Sequence, residues 1–253
     1  TSMIIPNQTT QIAYYAYSLC SQLQSVVIPS SVSIIYANAF DGCTRLQNVS
    51  FPLNLRRIEP YAFANCLSLS VSQWPTDLLN IGTYAFYKSG IDEVNIESDV
   101  QTIGNYAFEQ STASYFDVNI NNTNYISIDG VLCTRGGVLV KYPPNLSNQS
   151  YTVPSSINEL LFNSFTYCKY LQNLTINDNI NNIGNYAFAF CNMLRYVEFN
   201  VSLTQVPDDS FYSCYKLVNI TFSPTITVIG ERSFLNCSGL TTFSVPSTIS
   251  LIS

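Results

Sequence analysis

The feature that most constrains this chain is a period of 23 residues. Cys20, Cys43 and Cys66 are spaced by 23, as are Cys168, Cys191, Cys214 and Cys237; of the eight cysteines only Cys133 falls out of phase. Three places before each in-phase cysteine stands an aromatic residue: Tyr17, Phe40, Phe63, Phe165, Phe188, Phe211 and Phe234. Phe86 and Phe108 continue the series, with Ser89 and Ser111 in the cysteine position. Ala or Ser precedes each of these rings. Repeating units begin at Ile12, Ile35, Ile58, Ile81, Ile103, Leu160, Ile183, Val206 and Ile229, and every unit is 22 or 23 residues long except the fifth, which has 57. A period between about 20 and 50 residues marks a solenoid, because one such unit is too small to bury its apolar face alone.

Spacing within a unit predicts its parts. Ile35, Ala39, Phe40, Cys43 and Leu46 follow a helical stripe, so a short helix or turn is expected there. Past Leu46 the period becomes two, with Val49 and Phe51 alternating with Asn48 and Ser50, which predicts a short strand with one buried face. Pro52 closes that strand, as do Pro29, Pro75, Pro154 and Pro246, since proline brings no N–H to a ladder. The expected architecture is an α/β repeat solenoid spanning 1–253. Its nine coils carry short parallel strands and short helices or turns, with their Phe rings stacked as an internal spine.

Composition narrows the chemistry. Charged residues make up 10% of the 253, against roughly 25% in a typical globular chain. With 47% hydrophobic residues, the chain is not of the disordered class. A net charge of -6 argues against a nucleic-acid partner. There is no histidine, which removes His-dependent nucleophile systems and His-ligated metal sites. No Cys pair has the close spacing of a zinc ligand set, and no phosphate-cradling glycine motif is present. No apolar run is long enough to span a membrane. The opening Thr-Ser-Met has no signal-like character and reads as a piece cut from a longer protein. No enzyme activity, cofactor or metal is expected.

The repeat, seen in IGNYAFAFCNMLRYVEF (183–199) and YANAFDGCTRLQNVSFP (36–52), resembles the BspA-type leucine-rich repeat. That resemblance extends over almost the whole chain. It implies a leucine-rich-repeat solenoid and an extracellular, cell-surface location, with the signal and anchor outside this fragment. It also implies a role in adhesion or recognition, binding host matrix components, host cells or other microbes through a protein or glycan ligand.

The long fifth unit is expected to contain an inserted β-island at 112–151. Tyr125 to Ile128, an Asp129-Gly130 turn and Val131 to Cys133 read as a hairpin. Val138 to Tyr142, ended by Pro143-Pro144, adds a third strand of a projecting meander. Its SIDGVL and YPP segments also resemble an island found within such arrays. Insertions in solenoids gather on one face and serve binding; the same segment also reads as a spacer between two stacks.

The in-phase cysteines read as buried thiols that fill space, since core Cys behaves as a small hydrophobe and Ser replaces it twice. Asn-x-Ser/Thr sequons at Asn7, Asn48, Asn121, Asn145, Asn148, Asn173, Asn200 and Asn219 make a glycosylated secreted protein a candidate. Asn236 completes the pattern but adjoins core Cys237. A chain this rich in Asn, Ser and Thr also generates sequons by chance.

Outward strand positions form two columns, Ser25, Asn48, Val71, Glu93, Asn173, Tyr196, Asn219 and Thr242 in one, and Val27, Ser50, Gln73, Asn95, Thr175, Glu198, Thr221 and Ser244 in the other. This small, polar surface suits broad hydrogen-bonded contact with an extended partner. Candidate binding residues are Asn48, Gln73, Glu93, Asn95, Tyr196, Glu198 and Arg195, with the Arg56-Arg57 pair behind them. Trp74 reads as a core residue, and the acid pairs Asp208-Asp209 and Glu97/Asp99 as solvated corner residues. The second functional reading is a passive surface-coat or spacer scaffold that self-associates.

Overall fold

A computed structural model describes residues 1–200, 203–241 and 245–253. The chain divides into two compact units, Thr1–Ser127 and Ile128–Ser253. Each is a parallel β-solenoid in which one coil contributes a strand to each of two sheet columns. In the first unit, one column holds Ser2–Ile4, Ser25–Val27, Asn48–Ser50 and Ser70–Val71; the other holds Gln11–Ile12, Ile34–Ile35, Arg57–Ile58, Asn80–Ile81 and Thr102–Ile103. Glu93–Ile96 and Tyr115–Val118 form a further parallel pair. In the second unit Ser150–Thr152, Asn173–Ile176, Tyr196–Phe199 and Asn219–Thr221 make one column. The register advances one repeat per coil, with Ser2 beside Ser25 and Ser25 beside Asn48.

The expected short helices are absent among the described residues; the segment between the two strands of a coil is a run of turns. Its hydrogen bonds explain why. In the coil from Ile35, the N–H groups of Ala39, Asp41 and Cys43 donate three residues back, to Tyr36, Asn38 and Phe40. The intervening N–H groups of Asn38, Phe40 and Gly42 donate instead to Pro60, Ala62 and Ala64 of the next coil. Half the donors thus leave the segment, so no i to i−4 ladder can form. The alternation needs left-handed backbone twice per coil: Asn38 at φ 58° and Gly42 at 74°, Tyr61 at 59° and Asn65 at 57°, Tyr186 at 58° and Phe190 at 60°. The inward residues recur at three- and four-residue spacing in either geometry, which is why a helical stripe reads out of the sequence.

The aromatic spine is present in both units. Ring centroids lie 5.2 Å apart for Tyr17–Phe40, 5.1 Å for Phe40–Phe63, and 5.7 Å for both Phe63–Phe86 and Phe86–Phe108. In the second unit the spine runs Tyr142, Phe165, Phe188, Phe211, Phe234, at 5.1, 5.5, 4.9 and 5.4 Å. Burying each ring contributes about 1.5–3 kcal/mol. Each closing proline also starts a turn, its carbonyl accepting the N–H three residues on, as in Leu55 to Pro52 and Ile157 to Pro154. Trp74 is buried, edge-on to Phe86 at 5.3 Å.

Tyr142 enters the spine because the 112–151 segment has coil character at both ends. Tyr115–Val118 pairs in parallel with Glu93–Ile96, so these residues continue a strand column. Val131–Thr134 and Val138–Lys141 do pair antiparallel, as a hairpin should. Val138 and Leu139 then also pair in parallel with Glu159 and Leu160, which makes this strand the first rung of the second unit's other column. Tyr151 aligns with core Leu174 one coil later.

The cysteines are all thiols, seven of them buried; Cys20, in the first coil, is exposed. The buried thiols bond to backbone of the spine: Cys66 Sγ donates to the Phe40 carbonyl at 3.2 Å, Cys191 to Phe165 at 2.9 Å and Cys214 to Phe188 at 3.1 Å. The position therefore suits a small side chain able to donate a weak hydrogen bond, a demand that Cys and Ser both meet.

Candidate functional site

Strand periodicity sends Leu174, Val197 and Ile220 into the core and their neighbours outward. In the second unit this places Asn173, Tyr196 and Asn219 side by side in one register column, and Thr175, Glu198 and Thr221 in the next. Together these strands line a shallow concavity of about 260 Å³. Tyr196 is 47% exposed at its centre. Asn173 Nδ2 donates to Ser150 Oγ at 3.0 Å. The side chains of Tyr196, Glu198, Asn219 and Thr221 make no hydrogen bond or ion pair with any described residue, so their polar groups are open to a ligand. Glu198 is the one charged side chain lining the concavity. Arg195 is exposed but is not among the lining residues.

The other candidate binding residues lie in the first unit. Asn48 is exposed beside Ser25 and Ser70. The register corrects one column member: Ser70, not Val71, stands next to Asn48, and Val71 aligns with buried Val49. An extra residue before Trp74, which takes the place of Phe51 in the core, causes the shift. Gln73 is exposed but lies outside any strand. Glu93 and Asn95 are exposed beside Tyr115 and Asp117. Tyr115, 43% exposed, is a surface aromatic that the sequence reading left inside the island; its 22-residue offset from Glu93 was the available signal. Thr242 and Ser244 lie outside the described residues.

A second set of surface rings went unnoticed as well. Tyr84 stacks on Tyr61 at 4.9 Å and on Tyr106 at 4.7 Å, with Tyr87 edge-on at 5.4 Å. All three stacked residues begin a Tyr-Ala-Phe triplet, and the recurrence of that triplet is the sequence signal.

Corner residues are more structural than expected. Asp209 is buried, not solvated, and its carboxylate bonds Arg232 at 2.9 Å. The neighbouring Asp208 Oδ1 accepts the Glu231 N–H at 2.8 Å. Arg57 pairs with Glu59, which leaves Arg56 as the exposed member of that pair without a described ionic contact. Glu97 accepts from Asn119 Nδ2 at 3.4 Å. Among the sequons, Asn7, Asn48, Asn121, Asn148, Asn173, Asn200 and Asn219 are exposed and Asn145 is partly buried. Asn236 has left-handed backbone at φ 64° and bonds Ser213.

Burial sets the thiol chemistry. It pushes Cys43 and Cys237 up to about 11 and Cys133 up to about 12. A thiol held protonated in this way is a poor nucleophile. Among the described residues no three Cys, Asp or Glu side chains converge in a metal-ligating group. No helix among them is long and apolar enough to cross a membrane.

Parallel coils, an aromatic spine and a polar outward strand face define a leucine-rich-repeat solenoid, a scaffold class whose exposed strands present side chains for binding. The chain belongs to the BspA-type leucine-rich-repeat family, whose model matches six copies over residues 1–115 and 144–253. It is similar in fold to a leucine-rich repeat protein from Eubacterium ventriosum, at TM-score 0.78 and 21% identity over 100% of this chain and 81% of that one. A leucine rich cell surface protein from Faecalibacterium prausnitzii matches at TM-score 0.69 and 23% identity, over 99% of this chain and 82% of that one. The pneumococcal vaccine antigen PcpA matches at TM-score 0.71 and 21% identity, over 100% and 84%. At these identities the likeness is one of fold. No curated protein matches the chain in sequence.

Proposed function

We propose that this chain is a non-enzymatic recognition module of a cell surface, binding a protein or glycan ligand on host matrix, host cells or other microbes. The observation that carries this reading is the open polar column around Tyr196. An exposed ring, a carboxylate and an amide in register, with none of them used internally, have no part in holding the solenoid together. Interface energy concentrates on residues such as Tyr, which supply large area at little entropic cost. A surface location is supported by the family membership and by a fold neighbour described as a cell surface protein.

The test is a binding screen with the purified chain against matrix proteins and epithelial cell surfaces. Saturable binding that falls in a Tyr196→Ala, Glu198→Ala double variant supports recognition through this face. The sequons Asn48, Asn173 and Asn219 on outward strand positions favour the second reading, a glycan-covered coat or spacer. Absence of any ligand together with concentration-dependent self-association would establish that reading instead.

A further inference from the structure

We propose that the concavity around Tyr196 binds a non-acidic oligosaccharide laid along the axis of the second unit, crossing the coils rather than following a strand. The inference rests on the recognition reading above and names the ligand class for it. Four features of the face point this way.

The first is its chemistry. Tyr196 offers a half-exposed ring on which the C–H face of a pyranose can rest, with a phenol at its edge. Glu198 can accept hydrogen bonds from sugar hydroxyls, and such bonds to an ionised acceptor are the stronger kind. Asn219 supplies both donors and acceptors, and Thr221 a hydroxyl that can act as either.

The second is spacing. Parallel neighbours lie about 4.8 Å apart, close to the advance of one pyranose along an extended chain. Asn173, Tyr196 and Asn219 are direct register partners, so successive sugars meet successive coils. A peptide along the same path would not match, because its side chains alternate at about 3.3 Å per residue.

Charge is the third. Glu198 is the single charged group lining the face, and the chain as a whole carries -6. Sulfated, phosphorylated or sialylated ligands would meet repulsion with no Lys or Arg in the lining to offset it.

Shape is the fourth. A drug-sized ligand needs an enclosed, mostly apolar pocket, whereas this is an open trough lined chiefly by Asn, Thr, Tyr and Glu. Protein interfaces deplete Glu at their core and anchor several aromatics, and this trough holds one ring.

The experiment uses the whole chain produced in a host without N-glycosylation, so that Asn173 and Asn219 carry nothing. Calorimetry or saturation-transfer NMR is run with chitotetraose, cellotetraose and a heparin tetrasaccharide, and thermal melts confirm that each variant folds. The expected result is binding of at least one neutral tetrasaccharide and no binding of the heparin fragment. Tyr196→Ala should weaken that binding about tenfold or more, Tyr196→Phe should keep it within about threefold, and Glu198→Gln should weaken it measurably. Tighter heparin binding, no neutral-glycan binding, or affinity unmoved by Tyr196→Ala would overturn the inference. If matrix or cell binding persists and depends on Tyr196 while every glycan fails, the ligand is a protein; the glycan class falls and the recognition reading stands.

Discussion

The Lys141 ammonium donates to the backbone carbonyl of Thr166 at 3.3 Å and to its Oγ1 at 2.8 Å. In regular coils the corresponding carbonyl takes a backbone N–H from the coil before, as Ala64 does from Gly42, Glu109 from Lys88 and Ala189 from Tyr167. Ahead of Thr166 that backbone position is Pro144, which has no N–H, and the buried lysine reaches across to replace it. A third contact goes to the Asn163 carbonyl at 3.0 Å. The segment between the two runs of repeats therefore carries its own repair of the ladder it interrupts.

Replacing that donor should be costly. Lys141→Met keeps the stem and removes the ammonium, leaving buried carbonyl groups short of a partner at about 1–3 kcal/mol each. We expect a loss of about 2–3 kcal/mol in urea unfolding. A change below about 0.5 kcal/mol would mean that water serves these carbonyls equally well.

Phe188 stacks between Phe165 and Phe211 and is fully buried. Phe188→Ala should cost about 3–5 kcal/mol, as cavity-forming truncations of buried rings do. Chemical denaturation measures it, and a loss under about 1 kcal/mol would contradict a continuous spine.

Lys88 is exposed at φ 51°, in the column where the coil at Ile35 has Gly42. Left-handed backbone costs a residue with a Cβ about 1–2 kcal/mol, part of which glycine returns as lost chain entropy. Lys88→Gly should therefore raise stability by up to about 1 kcal/mol. Gly42→Ala should lower it, since the new Cβ would lie 2.7 Å from Leu19 Cδ2. Paired thermal melts check both signs.

Alkali should unfold the protein in a defined window. Cys43 and Cys237 rise from an ordinary 9.0 to about 11 and Cys133 to about 12, all through burial. The folded state thus holds these protons more tightly than the unfolded state. Their contribution is complete below pH 9 and is lost as pH climbs through 11 to 12. Denaturation midpoints should fall across that range and hold steady between pH 6 and 8. At pH 8 a disulfide reagent should modify Cys20 first, with the seven buried thiols reacting only after unfolding.

In a glycosylating host, occupancy at Asn173 or Asn219 should abolish the oligosaccharide binding proposed for the Tyr196 face, because both amides line it. Asn173→Gln, Asn219→Gln protein from that host should recover binding if attached glycans were the obstruction. Mass spectrometry of the tryptic peptides reports occupancy alongside.

Much of this molecule is legible in its amino-acid order. The period, the rings that stack, the thiols beneath them and the alternation that turns Asn173, Tyr196, Asn219 and Glu198 outward all follow from which side chains must leave water, and burial is a property that residue type and spacing carry directly. Other features depended on where backbone hydrogen bonds go, which composition does not encode. Turns replaced helices because alternate N–H groups found acceptors one coil away. Ser70 displaced Val71 because the Trp74 ring needed one more residue to reach the Phe51 position. Tyr142 and Lys141 joined the stack because the strand holding them had a free edge of the sheet to pair with, at Glu159 and Leu160. Contacts of that kind join residues 20 or more apart in the chain, and only the folded coil brings them within reach of one another.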